Sequence, residues 1–196
     1  MLEAQETHTN AKISEEEFLQ GEQISEVKHQ LIDGVAYAMA GAKANHQRIC
    51  TNLIRDISFH LKGGQCEVFS ADILVKSASN FFYPDVMVVC DFNNSQPRYT
   101  QKPVILVEVL SDSTRRMDLT TKRMSYINIP TLKEYVIIEQ NFVSIEVLRK
   151  SSNWQAQHYS LDEDIYFESI DLTLSVAEIY ERVDNEDMAI FNAAQR

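Results

Sequence analysis

A mixed α/β fold, with one central sheet covered by helices on both sides, is what this sequence predicts, and three observations predict it. Residues 103–110, PVILVEVL, are apolar almost without a break, the pattern of a strand buried on both faces of a sheet. Residues 45–64 carry Ile49, Leu53, Ile57 and Leu61 at helical spacing and close on Gly63-Gly64, so a helix lays one apolar stripe on a neighbour. The elements follow in the order helix, hairpin, helix, strands, helix, strands, helix, with no repeat and no low-complexity linker. Helices interleaved with strands in this way cover a sheet from both sides. A chain of 196 residues, 44% hydrophobic and 24% charged, has core enough for one such domain.

Each element has its own signal. Ser14 with Glu17 three residues on is a capping box that starts a short helix near residue 15. Asp33-Gly34 between the apolar arms of HQLIDGVAYAM marks a two-residue hairpin. After the helix over 45–62 come three strands, CEVFS, DILVKS and YPDVMVVC, with a turn at Ser79-Asn80. Residues 91–102 are a polar loop, and the strand 103–110 follows it. The stretch STRRMDLTTKRMSYINI reads as a helix over 114–127 that ends before Pro130. KEYVIIEQ and FVSIEVLRK are strands on either side of Gln140-Asn141, and NWQAQHYSL is a further strand. Ser175 caps a last helix over VAEIYERV. The domain therefore runs over residues 1–183, and 184–196 are a frayed tail.

Composition narrows the function. Cys50, Cys66 and Cys90 are an odd number without C-x-x-C spacing, which reads as reduced core thiols rather than a disulfide framework or zinc site. The five histidines lack metal-ligand spacing. No apolar run approaches the ~18 residues of a membrane span, and the opening MLEAQETHTN is polar and acidic, unlike a secretory signal. A cytoplasmic protein with no membrane partner is expected. The net charge of −11 is concentrated at the ends: residues 1–26 carry −6 and residues 161–187 carry −9, whereas residues 27–160 carry +3. A mildly basic middle is compatible with a phosphate backbone without demanding one.

Glu108 is the residue out of place. It interrupts the apolar strand 103–110, where a carboxylate costs several kcal/mol unless something pairs with it. Asp85 follows Pro84 at the mouth of another apolar strand. Alternation puts Asp85, Met87 and Val89 on one face of their strand, and Val104, Leu106, Glu108 and Leu110 on one face of theirs. Neighbouring strands would bring the two carboxylates together. A divalent cation removes both their repulsion and their desolvation cost. Hard oxygen ligands favour Mg²⁺ or Mn²⁺, and such an ion activates water and neutralises phosphoryl charge. Lys122, on the next helix, is the candidate cation.

Plainer readings stand beside these. Asp85 also suits a strand-end cap, Glu108 an ion pair with an arginine such as Arg115, and Lys122 a surface pair with Asp118 four residues earlier. His46, just inside its helix, reads as packing or capping. Ser111 and Ser113 read as caps of the following helix. No G-x-S-x-G, phosphate-binding glycine loop or H-E-x-x-H is present.

Taken together, Tyr83-Pro84-Asp85, VEVLS, STRRMD with Lys122 beyond it, and IPTLKEYVIIEQ resemble the Uma family of restriction endonucleases, which in turn looks like a branch of the PD-(D/E)XK nuclease superfamily. The resemblance spans roughly residues 22–183. It implies a restriction-endonuclease-like core, a central mixed β-sheet flanked by helices with an N-terminal helix and β-hairpin. It also implies magnesium-dependent phosphodiester cleavage, with Asp85 and Glu108 as metal ligands and Asp85, Glu108 and Lys122 as the catalytic set. The superfamily's usual lysine falls at Leu110, and Lys122 matches a lysine that substitutes for it. Gln30 stands where many relatives have a glutamate. The implied partner is nucleic acid, DNA first, and a homodimer is left open. A noncatalytic nucleic-acid- or protein-binding relative with a decayed site, and a metal-dependent hydrolase of another phosphodiester, are the alternatives.

Overall fold

In the computed structural model, which describes residues 12–195, the capping box at Ser14 forms as expected. Ser14 Oγ accepts from the Glu17 N–H at 3.2 Å, and a Glu17 carboxylate oxygen accepts from the Ser14 N–H at 2.7 Å. It opens α1 (Glu15–Glu22). β1 (His29–Ile32) and β2 (Val35–Ala38) make the hairpin. Its turn needs positive φ at both central residues, and Asp33 and Gly34 supply 51° and 83°. The opening MLEAQETHTN lies outside the described residues.

α2 (Ala44–His60) buries Ile49, Leu53 and Ile57 completely. β3 (Cys66–Ser70), β4 (Leu74–Ser77), β5 (Asn80–Phe82) and β6 (Val86–Cys90) follow. The expected strand YPDVMVVC is therefore shorter: Tyr83, Pro84 and Asp85 separate β5 from β6, and the chain changes sheets there. Pro84 has no N–H to give to a ladder, which suits a crossing point. The loop 91–102 contains a two-residue strand, β7 (Tyr99–Thr100). β8 (Pro103–Leu110) is buried at every position.

The helix expected over 114–127 is not uniform. It comprises α3 (Arg115–Met117), a π-helical turn (Asp118–Lys122) and α4 (Arg123–Ile127). β9 (Glu134–Glu139), β10 (Ile145–Arg149) and β11 (Ala156–Tyr159) come next. β12 (Asp164–Phe167) and β13 (Leu172–Ser175), which the sequence reading did not separate out, form an antiparallel ribbon. Buried Glu134 ties this ribbon to β9, accepting from the Glu168 and Ser169 N–H groups at 3.0 Å each.

Instead of one sheet there are two sheets and the ribbon. The central sheet has the order β11-β10-β9-β8-β6-β3 and is mixed: its middle pair, β8 and β9, is parallel and the rest is antiparallel. A second sheet has the order β2-β1-β5-β4-β7. One face of the central sheet, with Val86, Val88, Ile105, Val107 and Val136, packs on α2, the ribbon and α5 (Val176–Ile179). The other face, with Met87, Leu106, Leu110, Tyr135 and Ile137, packs on Tyr126, Ile129 and Leu132 and on Ile32, Val75 and Phe82 of the second sheet. Phe18 of α1 covers the far side of that second sheet with Leu31, Leu74 and Phe81.

Two further expectations are corrected. The tail 184–196 is not frayed throughout: α6 (Glu186–Ala194) forms, with Asn185 capping it and Met188 buried. Cys66 and Cys90 are bonded as a disulfide, not reduced, because β3 and β6 pair with these two residues directly opposite. Cys50 alone is free, and it is buried.

Candidate active site

The site is built where the second sheet meets the middle of the central one. The antiparallel register of β6 and β8 pairs Val86 with Val107, so the next position outward sets Asp85 opposite Glu108. The Asp85 N–H donates to the Val107 carbonyl at 3.1 Å, which continues the ladder to that point. Residues directly opposite share a face, as alternation led us to expect. Asp85, Glu108 and Lys122 line one cleft of about 410 Å³, together with His46, Tyr83, Ser111, Ser113 and Thr114.

Glu108 is 2% exposed, and it is not left unpaired. Lys122 Nζ donates to one of its oxygens at 2.9 Å and the Tyr126 hydroxyl to the other at 2.8 Å. Lys122 is equally buried and also pairs at 2.9 Å with Asp118, itself 1% exposed. The surface-pair reading of Lys122 is thus overturned: the pair with Asp118 exists, but inside the protein. Arg115 does not serve Glu108 either. It makes a two-pronged pair with Glu139 at 2.8 and 2.5 Å.

Burial pushes the Glu108 carboxyl well above its ordinary value; Lys122 pulls it down, and Asp118 and Asp85 push it up again. For Lys122, burial works against the charge, but Glu108, Asp118 and Asp85 outweigh it and hold the ammonium protonated. Burial first, and the Glu108 charge second, raises the Tyr126 phenol, so it remains a donor. The Tyr126 ring is held edge-on by Phe82 and Tyr135, at centroid distances of 5.4 and 5.3 Å. The Tyr135 hydroxyl donates to the Asp118 carbonyl at 3.1 Å, tying the π-helical turn to β9.

Asp85 fills the strand-end role as well: one of its oxygens accepts from the Val109 N–H at 2.7 Å. His46 Nε2 lies 3.2 Å from that same oxygen, so His46 touches Asp85 as well as packing in its helix. Its Nδ1 lies 3.6 Å from Cys50 Sγ, and ligand-type atoms of His46, Cys50 and Asp85 fall within 4.8 Å of one another. Leu110, at the usual lysine position, is buried in the core. Gln30 is 3% exposed with its side-chain oxygen unpartnered, and it does not line the cleft. Ser111 Oγ accepts from the Thr114 N–H at 3.2 Å, a local cap before α3.

Sequence reasoning missed Tyr126 and the depth of Asp118. The available signal was their spacing: Asp118, Lys122 and Tyr126 recur every four residues, the repeat of one helix face.

A mixed sheet whose central parallel pair opens onto buried carboxylates and a lysine, flanked by helices on both faces, defines a nuclease-like fold. A crystal structure from Anabaena variabilis, described as "a putative nuclease belonging to DUF820", shares it with a TM-score of 0.72, covering 86% of this chain and 98% of that one at 15% identity. The chain belongs to the Uma2 family, whose model, described as "Putative restriction endonuclease", matches residues 15–177. Two uncharacterized Synechocystis proteins are similar along their length. Slr1290 is 33% identical over 174 residues, 86% of this chain and 92% of its own; sll1609 is 33% identical over 144 residues, 71% and 81%. No helix among the described residues is long and apolar enough to cross a membrane.

Proposed function

We propose that the protein is a metal-dependent endonuclease that hydrolyses phosphodiester bonds of nucleic acid, with DNA as its first substrate. The observation that carries this reading is the state of Lys122. An ammonium has three donors. One is committed to Glu108 at 2.9 Å; Asp118 Oδ1 lies in ion-pair contact at 2.9 Å but is hydrogen-bonded to no group, and Lys122 borders the cleft. Donor capacity therefore remains for a water or phosphoryl oxygen there.

The donor set fits a divalent cation of the kind that restriction-endonuclease-like families use. Asp85 and Glu108 offer hard oxygens, each carboxylate retains lone pairs beyond the hydrogen bonds described, and the carboxyl groups of Glu108 and Asp118 flank one ammonium. Asp85 and Glu108 would hold Mg²⁺ or Mn²⁺. When bound, such an ion lowers the pKa of a coordinated water and neutralises charge on a phosphoryl oxygen. The chain's own residues do the rest. Lys122 steadies the negative charge that develops on the phosphoryl oxygens. Asp118 and Tyr126 fix Lys122 and Glu108 in place, so that no reorganisation accompanies the reaction.

The test is cleavage by the purified protein with Mg²⁺ or Mn²⁺ on plasmid DNA, single-stranded DNA and RNA. Nicking or linearisation that stops with EDTA and disappears in Asp85→Asn supports the reading. Protein that binds DNA but leaves all three substrates intact, with either metal, overturns it in favour of a noncatalytic binding protein.

A further inference from the structure

We infer that His46 is a positioning residue for Asp85, held in one orientation by the Cys50 thiol, so that a chain from Cys50 through His46 turns one Asp85 oxygen towards the protein and leaves the other for the metal. The inference rests on the reading of Asp85 as a metal ligand. His46 stands in the first turn of α2, on the opposite side of the central sheet from Lys122, and reaches Asp85 from there. Its two ring nitrogens have different neighbours: Nε2 lies 3.2 Å from an Asp85 oxygen and Nδ1 lies 3.6 Å from Cys50 Sγ. Both His46 and Cys50 are buried.

Geometry gives the chain its direction. Cys50 Sγ faces Nδ1 at 3.6 Å, which leaves Nε2 turned to Asp85 at 3.2 Å. The same Asp85 oxygen accepts from the Val109 N–H at 2.7 Å. A backbone N–H and an imidazole nitrogen thus converge on one oxygen, and among the described residues no donor is bonded to the other. A ligating carboxylate whose partners fix its orientation binds a metal more tightly, and loss of such a partner typically costs roughly 10–100-fold in affinity or activity.

The same three side chains can also be imagined as direct ligands, since their donor atoms cluster. The geometry argues against it. No single His46 nitrogen faces both partners.

Calorimetric Mn²⁺ titration of the full-length protein separates these cases. Side-chain amide nitrogen of Gln reaches about where Nε2 stood, so His46→Gln keeps a donor for Asp85 and His46→Leu does not. The expected result is a 10–100-fold loss of Mn²⁺ affinity in His46→Leu, recovery to within about three-fold of wild type in His46→Gln, and similar melting temperatures for the two metal-free variants. Equal Mn²⁺ affinity in wild type and His46→Leu overturns the positioning role while leaving the metal site standing. Equal losses in both variants, in step with equal losses of melting temperature, make His46 a packing residue and overturn it too. Co²⁺ that gives a thiolate-to-metal absorption band, lost in Cys50→Ser, replaces it with direct ligation. Wild-type protein that binds no Mn²⁺ removes the metal reading itself.

Discussion

Lys122→Met tests the buried charge cluster and the catalytic role in one protein. Methionine keeps the length and most of the volume of the lysine stem, so the packing change is small, under about 1.5 kcal/mol. The electrostatic change is not. Lys122, Glu108 and Asp118 are all at most 2% exposed, and the substitution leaves two carboxyls without their shared cation. Breaking a buried pair costs about 3–5 kcal/mol. The lower end applies here, because Tyr126 still donates to Glu108 and both carboxyls can take up protons. We expect about 3 kcal/mol at pH 8, or a fall in Tm of roughly 6–12 °C for a chain of this size. At pH 5 the loss should shrink, because protonated carboxyls need no cation.

Thermal melts at the two pH values, with and without Mn²⁺, measure this directly. An ion bound by Asp85 and Glu108 supplies some of the missing charge, and a ligand at about 100 times its Kd adds roughly 2.7 kcal/mol. Mn²⁺ should therefore recover much of the lost stability. Cleavage at saturating Mn²⁺ should fall by on the order of 10²–10³, as loss of a preorganised charge-stabilising group does, with metal affinity undiminished. A variant that melts within about 2 °C of wild type at both pH values would refute the buried triad. One that is folded and cleaves within two- or three-fold of wild type would refute Lys122 as the catalytic cation, whatever its melting temperature.

Three further outcomes follow from the same geometry. Because folding raises the Glu108 carboxyl above its ordinary value near 4.5, its contribution to metal-free stability is complete below that value and is lost as pH rises through the folded-state value; melts from pH 4 to 9 should show this decline, and a rising profile counts against it. Glu108→Gln fixes the uncharged shape, so it should flatten that slope and abolish Mn²⁺ binding while the protein stays folded; calorimetry that finds unchanged affinity removes Glu108 as a ligand. The Cys66–Cys90 bridge spans 24 residues of chain, for which loop-closure entropy gives about 3 kcal/mol; thiol titration of protein unfolded without reductant should count one free thiol, because Cys50 is buried in the native state, reduction should lower Tm, and a count of three denies the bridge.

What the sequence made legible and what it concealed divide along physical lines. Ile49, Leu53 and Ile57 announced α2 because a helix repeats its buried face every three to four residues, and all three are fully buried. Asp33-Gly34 announced the hairpin because so few residues accept its dihedral angles. Glu108 was visible as a charge in an apolar strand. The Cys66–Cys90 bond was not, because it depends on the register of β3 against β6. α6 was not read from the sequence, although Asn185 caps it and Met188 is buried. Lys122 was visible only as a letter: Asp-x-x-x-Lys is written the same way on a surface as in a core. Its depth comes from the turn that holds it. Spacing by four sets Asp118, Lys122 and Tyr126 near one helix face, but in a regular α-helix eight residues overshoot two turns by about 80°. The wider i→i+5 turn over Asp118–Lys122 takes up part of that overshoot. Lys122 and Tyr126 then meet the two oxygens of one carboxylate, Glu108, while Asp118 holds Lys122 from behind. Sequence spacing carries no signature of such a turn, yet it is the turn that converts an ordinary i,i+4 pair into the cationic half of the site.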